Sequence, residues 1–121
     1  MKKILVVDDQ EHVRELVEVT LASPEYEIFH AATGEEALKK AQEHKPDIIL
    51  MDVMMPGEVD GLEATRRIKD NPDTKGCVVI MLTAKGQQAD REAGMKAGAD
   101  DYFAKPFSPL ELMKKVEEVL G

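Results

Sequence analysis

Five short runs of apolar residues punctuate the chain, and a longer stretch of mixed polar and apolar residues follows each of them. Three of the runs, ILVV, IILM and VVIML, are apolar throughout, which is typical of strands that are covered on both faces. The other two alternate with the longer stretches in the same way. We therefore predict five strands, at Ile4–Val7, Glu27–Ala31, Ile48–Met51, Val78–Leu82 and Tyr102–Ala104.

The stretches between these runs carry apolar or small residues at helical spacing. In the first stretch, Val13, Leu16, Val17, Thr20 and Leu21 fall at i, i+3, i+4, i+7 and i+8, which predicts one buried helical stripe. Capping boxes open the second and fifth helices, in the segments TGEE and SPLE. The remaining four stripes are Ala37, Leu38 and Ala41; Leu62, Thr65 and Ile68; Ala89, Ala93 and Ala97; and Leu112, Met113, Val116, Val119 and Leu120.

Strict alternation of strands and helices predicts an α/β fold, (βα)5, in which a parallel sheet has helices on both faces. Crossover connections in such sheets are right-handed, so the carboxyl ends of all five strands lie along one edge. Open α/β sheets bind their ligands at that edge. The residues that follow the five predicted strands are therefore the first place to look for chemistry.

Composition narrows the function classes. A chain of 121 residues fits one domain, and its net charge of −8 argues against direct binding of nucleic acid, whose partners present basic faces. The single cysteine excludes an internal disulfide and fits a reducing compartment. No stretch approaches the ~20 apolar residues of a membrane span. We expect a cytoplasmic domain that does not bind membranes.

Charged and polar side chains follow four of the five strands. Asp8 and Asp9 follow the first strand, Asp52 the third, Thr83 the fourth and Lys105 the fifth. Two carboxylates about 4 Å apart repel each other by roughly 4 kcal/mol at an effective dielectric near 20, and a third acid adds to this repulsion. Because hard oxygen ligands favour Mg²⁺ or Mn²⁺, we expect a divalent cation here, with room left for a phosphoryl group.

Each of these residues has an ordinary structural explanation when it is taken alone. Asp8 or Asp9 could cap the first helix, Thr83 could cap the fourth, and Lys105 could be a solvated loop residue. Asp52 is harder to explain in this way, because a carboxylate at the end of an apolar strand is costly unless it has a partner. Their joint occurrence at one edge favours a functional site.

The chain also resembles the receiver domain of two-component response regulators. The segments that carry the resemblance, KKILVVDD, IILMDVMMPG, VVIMLTAKG and GADDYFAKPFSPLEL, extend over essentially the whole chain. The resemblance implies a doubly wound, flavodoxin-like fold with strand order 2-1-3-4-5, in a single receiver domain at residues 1–121. It also implies a sensor histidine kinase or a phosphotransfer protein as the phosphoryl donor.

The resemblance assigns roles to individual residues. Asp52 is expected to be the phosphoacceptor, and Asp8, Asp9, Asp52 and the backbone carbonyl of Met54 are expected to bind the metal. Thr83 and Lys105 are expected to contact the phosphoryl group, Tyr102 is expected to be the aromatic switch residue, and Pro106 is expected to follow a cis peptide bond. Met54 and Lys85 are expected to flank the path of the hydrolytic water and to slow self-dephosphorylation.

The face formed by helix 4, strand 5 and helix 5 is expected to change shape on phosphorylation, as it does in this family. This face should carry Arg91, Asp101, Glu111 and Lys115, which a two-fold axis could pair as Arg91–Glu111 and Asp101–Lys115 in a homodimer. Ordinary solvated ion pairs are the alternative. One departure from the family pattern is an extra residue in the loop Pro56–Gly61, which bears on how partners dock.

Two other functions remain open from the sequence. An Mg²⁺-dependent phosphatase with an aspartyl nucleophile would need a second acid two residues after Asp52, where Met54 stands. A pseudo-receiver, which acts only as an interaction module, would be expected to lack one or more of the site residues, and none is missing. We expect a phosphorylation-activated switch that is not an enzyme beyond catalysing its own phosphorylation and slow dephosphorylation.

Overall fold

A computed structural model describes residues 1–84 and 88–120. The strands are β1 (Lys2–Val7), β2 (Tyr26–Ala31), β3 (Ile48–Asp52), β4 (Val78–Ala84) and β5 (Asp101–Lys105). They form one parallel sheet in the order β2-β1-β3-β4-β5. The predicted fold class and strand order are confirmed, and each strand extends at one or both ends by one or two residues beyond the predicted run.

Helices cover both faces of the sheet. They are α1 (Glu11–Leu21), α2 (Gly34–His44), α3 (Gly61–Asp70), α4 (Gln88–Lys96) and α5 (Pro109–Leu120). Helices α1 and α5 pack on one face, where Val17 and Val116 join a core with Ile4, Ile48 and Ile80. Helices α2 and α3 pack on the other face, and α4 contacts β4 there through Gly94. The central strand β3 is buried along its whole length, because both layers cover it.

The capping signals are found where the sequence predicts them. The Thr33 side chain accepts a hydrogen bond from the Glu36 amide at 3.1 Å, and Ser108 accepts one from the Glu111 amide at 3.1 Å. The reciprocal half of the first capping box differs, because the Glu36 carboxylate accepts from the amide of Ala32 instead of Thr33. Helix α2 therefore begins as predicted, with its acidic side chain reaching one residue further back.

Three predicted stripe residues are exposed. Ala89 is exposed on α4, and the residue of that helix that reaches the sheet is Gly94, which approaches Met81. Leu16 on α1 and Met113 on α5 are also exposed, since each lies at the edge of its helix's buried face. No helix in the described ranges is long and apolar enough to cross a membrane.

Candidate functional site

The carboxyl ends of β1 and β3 bring the acidic residues together. Asp8 directly follows β1 and is fully buried, and its amide donates to the carbonyl of Ala31 at 3.1 Å, so it extends the sheet ladder by one residue. Asp52 is the last residue of β3 and is also buried. Asp9 is exposed. Carboxylate oxygens of these three residues all lie within 4.8 Å of one another, so the predicted acidic cluster is present.

The acids do not cap helix α1. Its N-cap is Gln10, which makes no side-chain capping bond, and the Asp8 carboxylate instead accepts the Gln10 amide at 2.9 Å. Asp8 thus stabilises the turn that carries Asp9 away from the strand. The helix-cap explanation of these two acids does not hold.

Lys105 places its ammonium group between the two buried carboxylates. Its Nζ atom lies 3.0 Å from Asp8 Oδ2 and 3.3 Å from Asp52 Oδ1. Although burial lowers the pKa of Lys105, its hydrogen bond to Asp8 and the charges of Asp52 and Asp8 raise that pKa above its usual value. The lysine is therefore fully protonated at neutral pH, and it is not a solvated loop residue.

Burial makes the charge on Asp52 costly. The pKa of Asp52 is raised mainly because burial disfavours the charged form, and the nearby Asp8 carboxylate raises it further. The ammonium group of Lys105 acts in the opposite direction. A bound cation would stabilise a buried carboxylate that one lysine only partly stabilises.

Thr83 lies one strand away from Asp52, near the end of β4. It is buried, and its Oγ1 atom has no hydrogen-bond partner among the described residues. Parallel pairing places Thr83 opposite Ala104, the residue before Lys105. Because unpaired buried hydroxyls are uncommon and cost free energy, this atom is a donor available for a ligand oxygen.

The loop from Val53 to Asp60 connects Asp52 to α3. The Met54 amide lies 3.4 Å from Asp52 Oδ1, and the Met54 side chain is 71% exposed. Asp60 caps α3 by accepting the Glu63 amide at 2.9 Å. The role of the Met54 carbonyl as a metal ligand stays a prediction, and Lys85, predicted to cover the same site, lies outside the described residues.

The loop Pro56–Gly61, which carries the extra residue, has a packing role that the sequence did not predict. Val59 is buried within the core cluster and lies against Gly34 at the beginning of α2. A Cβ atom on Gly34 would lie 2.1 Å from the Val59 carbonyl oxygen, so the contact requires glycine at this position. Val59 is the one apolar residue between Pro56 and Leu62, and this was the signal available in the sequence.

Arg14 is a second residue that the sequence analysis missed. From the first turns of α1, its Nη1 atom donates to the backbone carbonyl of Asp8 at 2.6 Å. The bond ties the helix to the end of β1, beside the acidic cluster. The available signal was a long basic side chain six residues after Asp8.

Tyr102, the predicted switch residue, lies on β5, the strand that ends at Lys105. The guanidinium group of Arg91 lies over the Tyr102 ring, 3.8 Å from its centroid, and donates a hydrogen bond to the Tyr102 hydroxyl. Lys115 pairs with Asp101 of its own chain at 2.6 Å. The Lys105–Pro106 peptide bond is cis, the isomer that the resemblance implies.

Comparison with known proteins accounts for this arrangement. A sequence model described as the response regulator receiver domain matches residues 4–117. The chain belongs to this family. It is 47% identical over 118 residues to the transcriptional regulatory protein ResD of Bacillus subtilis, and 43% identical over 119 residues to the phosphate regulon transcriptional regulatory protein PhoB of Pseudomonas aeruginosa. Those alignments cover 98% of this chain but only 48% and 52% of the relatives.

Solved receiver structures have the same fold. A putative response regulator from Chloroflexus aurantiacus has a TM-score of 0.91 and 42% identity, and the alignment covers 98% of this chain and 97% of that one. Chemotaxis protein CheY4 of Vibrio cholerae has a TM-score of 0.89 and 36% identity, with 98% of each chain covered. The predicted family and fold are therefore confirmed. The receiver spans about half the length of the curated relatives that it matches.

Family membership also weighs against the two alternative functions. Response regulators act as switches, and receiver domains interact with histidine kinases. The second acid that an aspartyl phosphatase would need is absent at Met54, whose side chain points into solvent. The acidic cluster of this receiver could hold a metal ion.

Proposed function

We propose that this receiver domain is a switch that accepts a phosphoryl group on Asp52 from a histidine kinase or a phosphotransfer protein. One observation carries the proposal. The buried Asp52 carboxylate lies 3.3 Å from the Lys105 ammonium group, beside a buried Thr83 hydroxyl that has no partner in the described ranges. A nucleophile, a positive charge and an unpaired donor thus lie at the carboxyl ends of three adjacent strands.

The acidic cluster supports Mg²⁺ as the cofactor of this reaction, with Mn²⁺ as a substitute. Its donors are carboxylate oxygens of Asp8, Asp9 and Asp52, which are the hard ligands that these ions prefer. The Met54 carbonyl is proposed as a further ligand. When bound, the ion supplies positive charge that offsets the charge developing on the phosphoryl oxygens. Asp8 and Asp52 are buried and held by backbone hydrogen bonds, so they are preorganised to bind it.

The chain's own residues would perform the transfer as follows. An Asp52 oxygen attacks phosphorus in line with the phosphohistidine nitrogen, an acyl phosphate bond forms, the P–N bond breaks, and the imidazole keeps the electron pair and takes a proton from solvent. Lys105 holds its proton and pairs with a phosphoryl oxygen, while the Thr83 hydroxyl donates to another. The acyl phosphate carries more negative charge than the Asp52 carboxylate that it replaces, so Lys105 and a bound cation would offset the added charge.

The site also bears on how long the phosphoryl group survives. Met54 is apolar and follows Asp52 by two residues, so it can shield the acyl phosphate but cannot orient a water molecule. We therefore propose slow self-dephosphorylation and no other enzymatic activity. The output is proposed to be transcriptional control, in line with the names of the relatives, and residues 1–121 are proposed to form a single receiver domain.

The proposed test uses a small phosphodonor and the mass of the intact protein. With acetyl phosphate and Mg²⁺, the wild type should gain one phosphoryl group, and excess EDTA should prevent the gain. Asp52→Asn should abolish it, because the carboxamide is a far poorer nucleophile, whereas the exposed Asp70→Asn should leave it unchanged. Labelling of Asp52→Asn at the wild-type rate would refute the assignment. Catalytic release of phosphate without a labelled intermediate would support the phosphatase, and no labelling of any variant would support the pseudo-receiver.

A further inference from the structure

Asp9 owes its place in the acidic cluster to its backbone. Its side chain is exposed and forms no hydrogen bond with another described residue, yet one of its carboxylate oxygens lies within 4.8 Å of oxygens of Asp8 and Asp52. The direction of such a side chain depends on the φ and ψ angles of its own residue. The peptide groups before and after Asp9 therefore decide whether its carboxylate faces the cluster.

Arg14 bonds to the chain on both sides of Asp9. Its side-chain Nη1 atom donates to the carbonyl of Asp8 at 2.6 Å, and its backbone amide donates to the carbonyl of Gln10 at 3.3 Å. The Asp8 carbonyl belongs to the peptide group that joins Asp8 to Asp9, so the side-chain bond restrains rotation of that peptide. The other bond in this turn, from the Gln10 amide to the Asp8 carboxylate, leaves the Asp8 carbonyl unrestrained.

The side chain of Arg14 makes this hydrogen bond at a cost. Its Nε atom is buried and has no hydrogen-bond partner among the described residues, and an unpaired buried donor is unfavourable. Its positive charge, next to a site for a cation, also opposes binding of that cation. Charge and positioning therefore predict opposite effects of Arg14 on metal affinity.

We infer that Arg14 is a positioning residue for the metal site, because it holds the Asp8–Asp9 peptide so that the Asp9 carboxylate faces the other two acids. This inference rests on the proposed function, in which Mg²⁺ is the cofactor. Without the Arg14 bond, the Asp8 carbonyl has no side-chain donor within the described residues, and the peptide can rotate. Asp9 then occupies its binding orientation for a smaller fraction of the time, which lowers the apparent affinity for the cation by that fraction.

Replacement of the arginine by methionine gives a result whose sign distinguishes the two effects. Arg14→Met keeps an unbranched apolar side chain but removes the charge and the donor. If the guanidinium group acted only through its charge, this variant would bind Mg²⁺ more tightly than the wild type. We expect about tenfold weaker binding, the lower end of the range for groups that orient metal ligands. Arg14→Lys, which keeps the charge and a donor on a shorter side chain, should have an affinity between those of Arg14→Met and the wild type.

A double-mutant cycle with Asp9 tests how the effect is transmitted. In an Asp9→Ala background there is no Asp9 carboxylate to orient, so Arg14→Met should no longer weaken Mg²⁺ binding. Equal weakening in both backgrounds would overturn the inference, because Arg14 would then act through Asp8 or through the fold as a whole. Arg66→Met is the matched control, since it removes the same charge from an arginine whose ion pairs lie within α3, and it should leave Mg²⁺ affinity nearly unchanged.

Dissociation constants would be measured on the unphosphorylated protein, from backbone amide NMR shifts during titration with Mg²⁺. The spectrum without metal shows whether each variant is folded. If Arg14→Met does not fold, the cycle is run with Arg14→Lys, and wild-type affinity of that variant would overturn the inference.

The same titrations distinguish failure of this inference from failure of the proposed function. A wild type that binds no Mg²⁺ would refute the proposed cofactor and the inference together. A wild type that binds Mg²⁺, with an Arg14→Met variant that binds it equally well or more tightly, would refute only the role of Arg14. Because no phosphodonor is present, a failure of Asp52 to accept a phosphoryl group would not alter these results.

Discussion

Asp9 is the exposed member of the acidic cluster, and no hydrogen bond from its side chain to another described residue holds it in place. Asp8 and Asp52, in contrast, are buried and bonded to backbone amides. At the scale of single residues, the three acids therefore differ: two are part of the folded structure, and one is available almost wholly for a ligand.

We expect Asp9→Ala to separate metal binding from stability. Mg²⁺ affinity should fall by about tenfold or more, since even the outer-shell partners of a metal change affinity by about ten- to a hundredfold. In metal-free buffer the melting temperature should stay the same or rise, because the substitution removes one of three crowded negative charges. Calorimetric titration with Mg²⁺ and thermal unfolding in EDTA measure the two effects.

Glu11→Ala is the matched control for this experiment, because Glu11 is an exposed acid in the first turn of α1 and lies outside the cluster. It should leave Mg²⁺ affinity nearly unchanged. A marked fall in the melting temperature of metal-free Asp9→Ala would contradict the structure, in which Gln10 is the N-cap of α1.

At the scale of the elements, strand β3 and helix α3 meet with almost no space between them. A Cβ atom on Gly61, the first residue of α3, would lie 1.9 Å from the backbone oxygen of Asp52. Both groups are backbone, so neither can move away as a flexible side chain would. The end of the strand that carries Asp52 thus depends on the absence of a side chain at Gly61.

We predict that Gly61→Ala lowers the free energy of unfolding by about 3 kcal/mol or more, at the upper end of overpacking effects. Gly76→Ala is the control, because no atom lies within 4 Å of a Cβ placed there. Urea unfolding of the two variants would measure the difference. Equal stability of the two variants would show that the loop after β3 can shift to accommodate the methyl group.

The Asp101–Lys115 pair joins β5 to α5 and predicts a pH dependence. Although burial raises the pKa of Asp101, the hydrogen bonds from Lys115 and the Tyr102 amide and the Lys115 charge together lower it. A carboxyl group with a lowered pKa stabilises the fold above its unfolded pKa, near 3.8, and loses that contribution as pH falls through the folded value.

Asp101→Asn should therefore destabilise the protein at pH 7, by up to about 1 kcal/mol because the pair is partly exposed. The difference from wild type should shrink as the solution is made more acidic than the usual pKa of an aspartate. Urea unfolding over a pH series measures it. A stability difference that is the same at every pH would mean that the change acts through packing and not through the charge of Asp101.

For the whole molecule, the main question is whether phosphorylation brings two copies together. Each chain carries a net charge of −8, so two copies repel each other unless local pairs of opposite charge compensate. On the face formed by α4, β5 and α5, Glu111 is exposed and has no ion pair within the described ranges, and Tyr102 holds Arg91. Any dimer of this receiver should accordingly be weak.

We predict a phosphorylation-dependent equilibrium between monomer and dimer that high salt weakens. Arg91→Glu should disrupt it by placing like charges at the predicted Arg91–Glu111 contact, and Arg91→Glu/Glu111→Arg should restore it by reversing the pair. Light scattering on phosphorylated samples over a range of concentrations measures the equilibrium. Failure of the reversed pair to restore the dimer would exclude this contact, and a phosphorylated monomer throughout would indicate a single-domain relay.

The sequence by itself determined the elements, their order and the convergence of the site residues. Alternation of apolar runs with helical stripes is a local property, and parallel strands that alternate with helices must end at one edge. The order of residues alone therefore placed Asp52, Thr83 and Lys105 at the same edge of the sheet. Thr33 and Ser108 were predicted as helix starts for the same reason, because a capping bond spans only three residues.

Only the tertiary structure decided which side chain meets which partner. Asp8 is buried although the neighbouring Asp9 is exposed, and Arg14 binds the backbone carbonyl at the end of β1. Val59 packs on Gly34, which is distant from it in sequence. Arg91 and Lys115 are long side chains with several acceptors in reach, and the packing of α4 and α5 on the sheet decides among them. Local periodicity carries no information on such choices, because they depend on distances set by the whole fold.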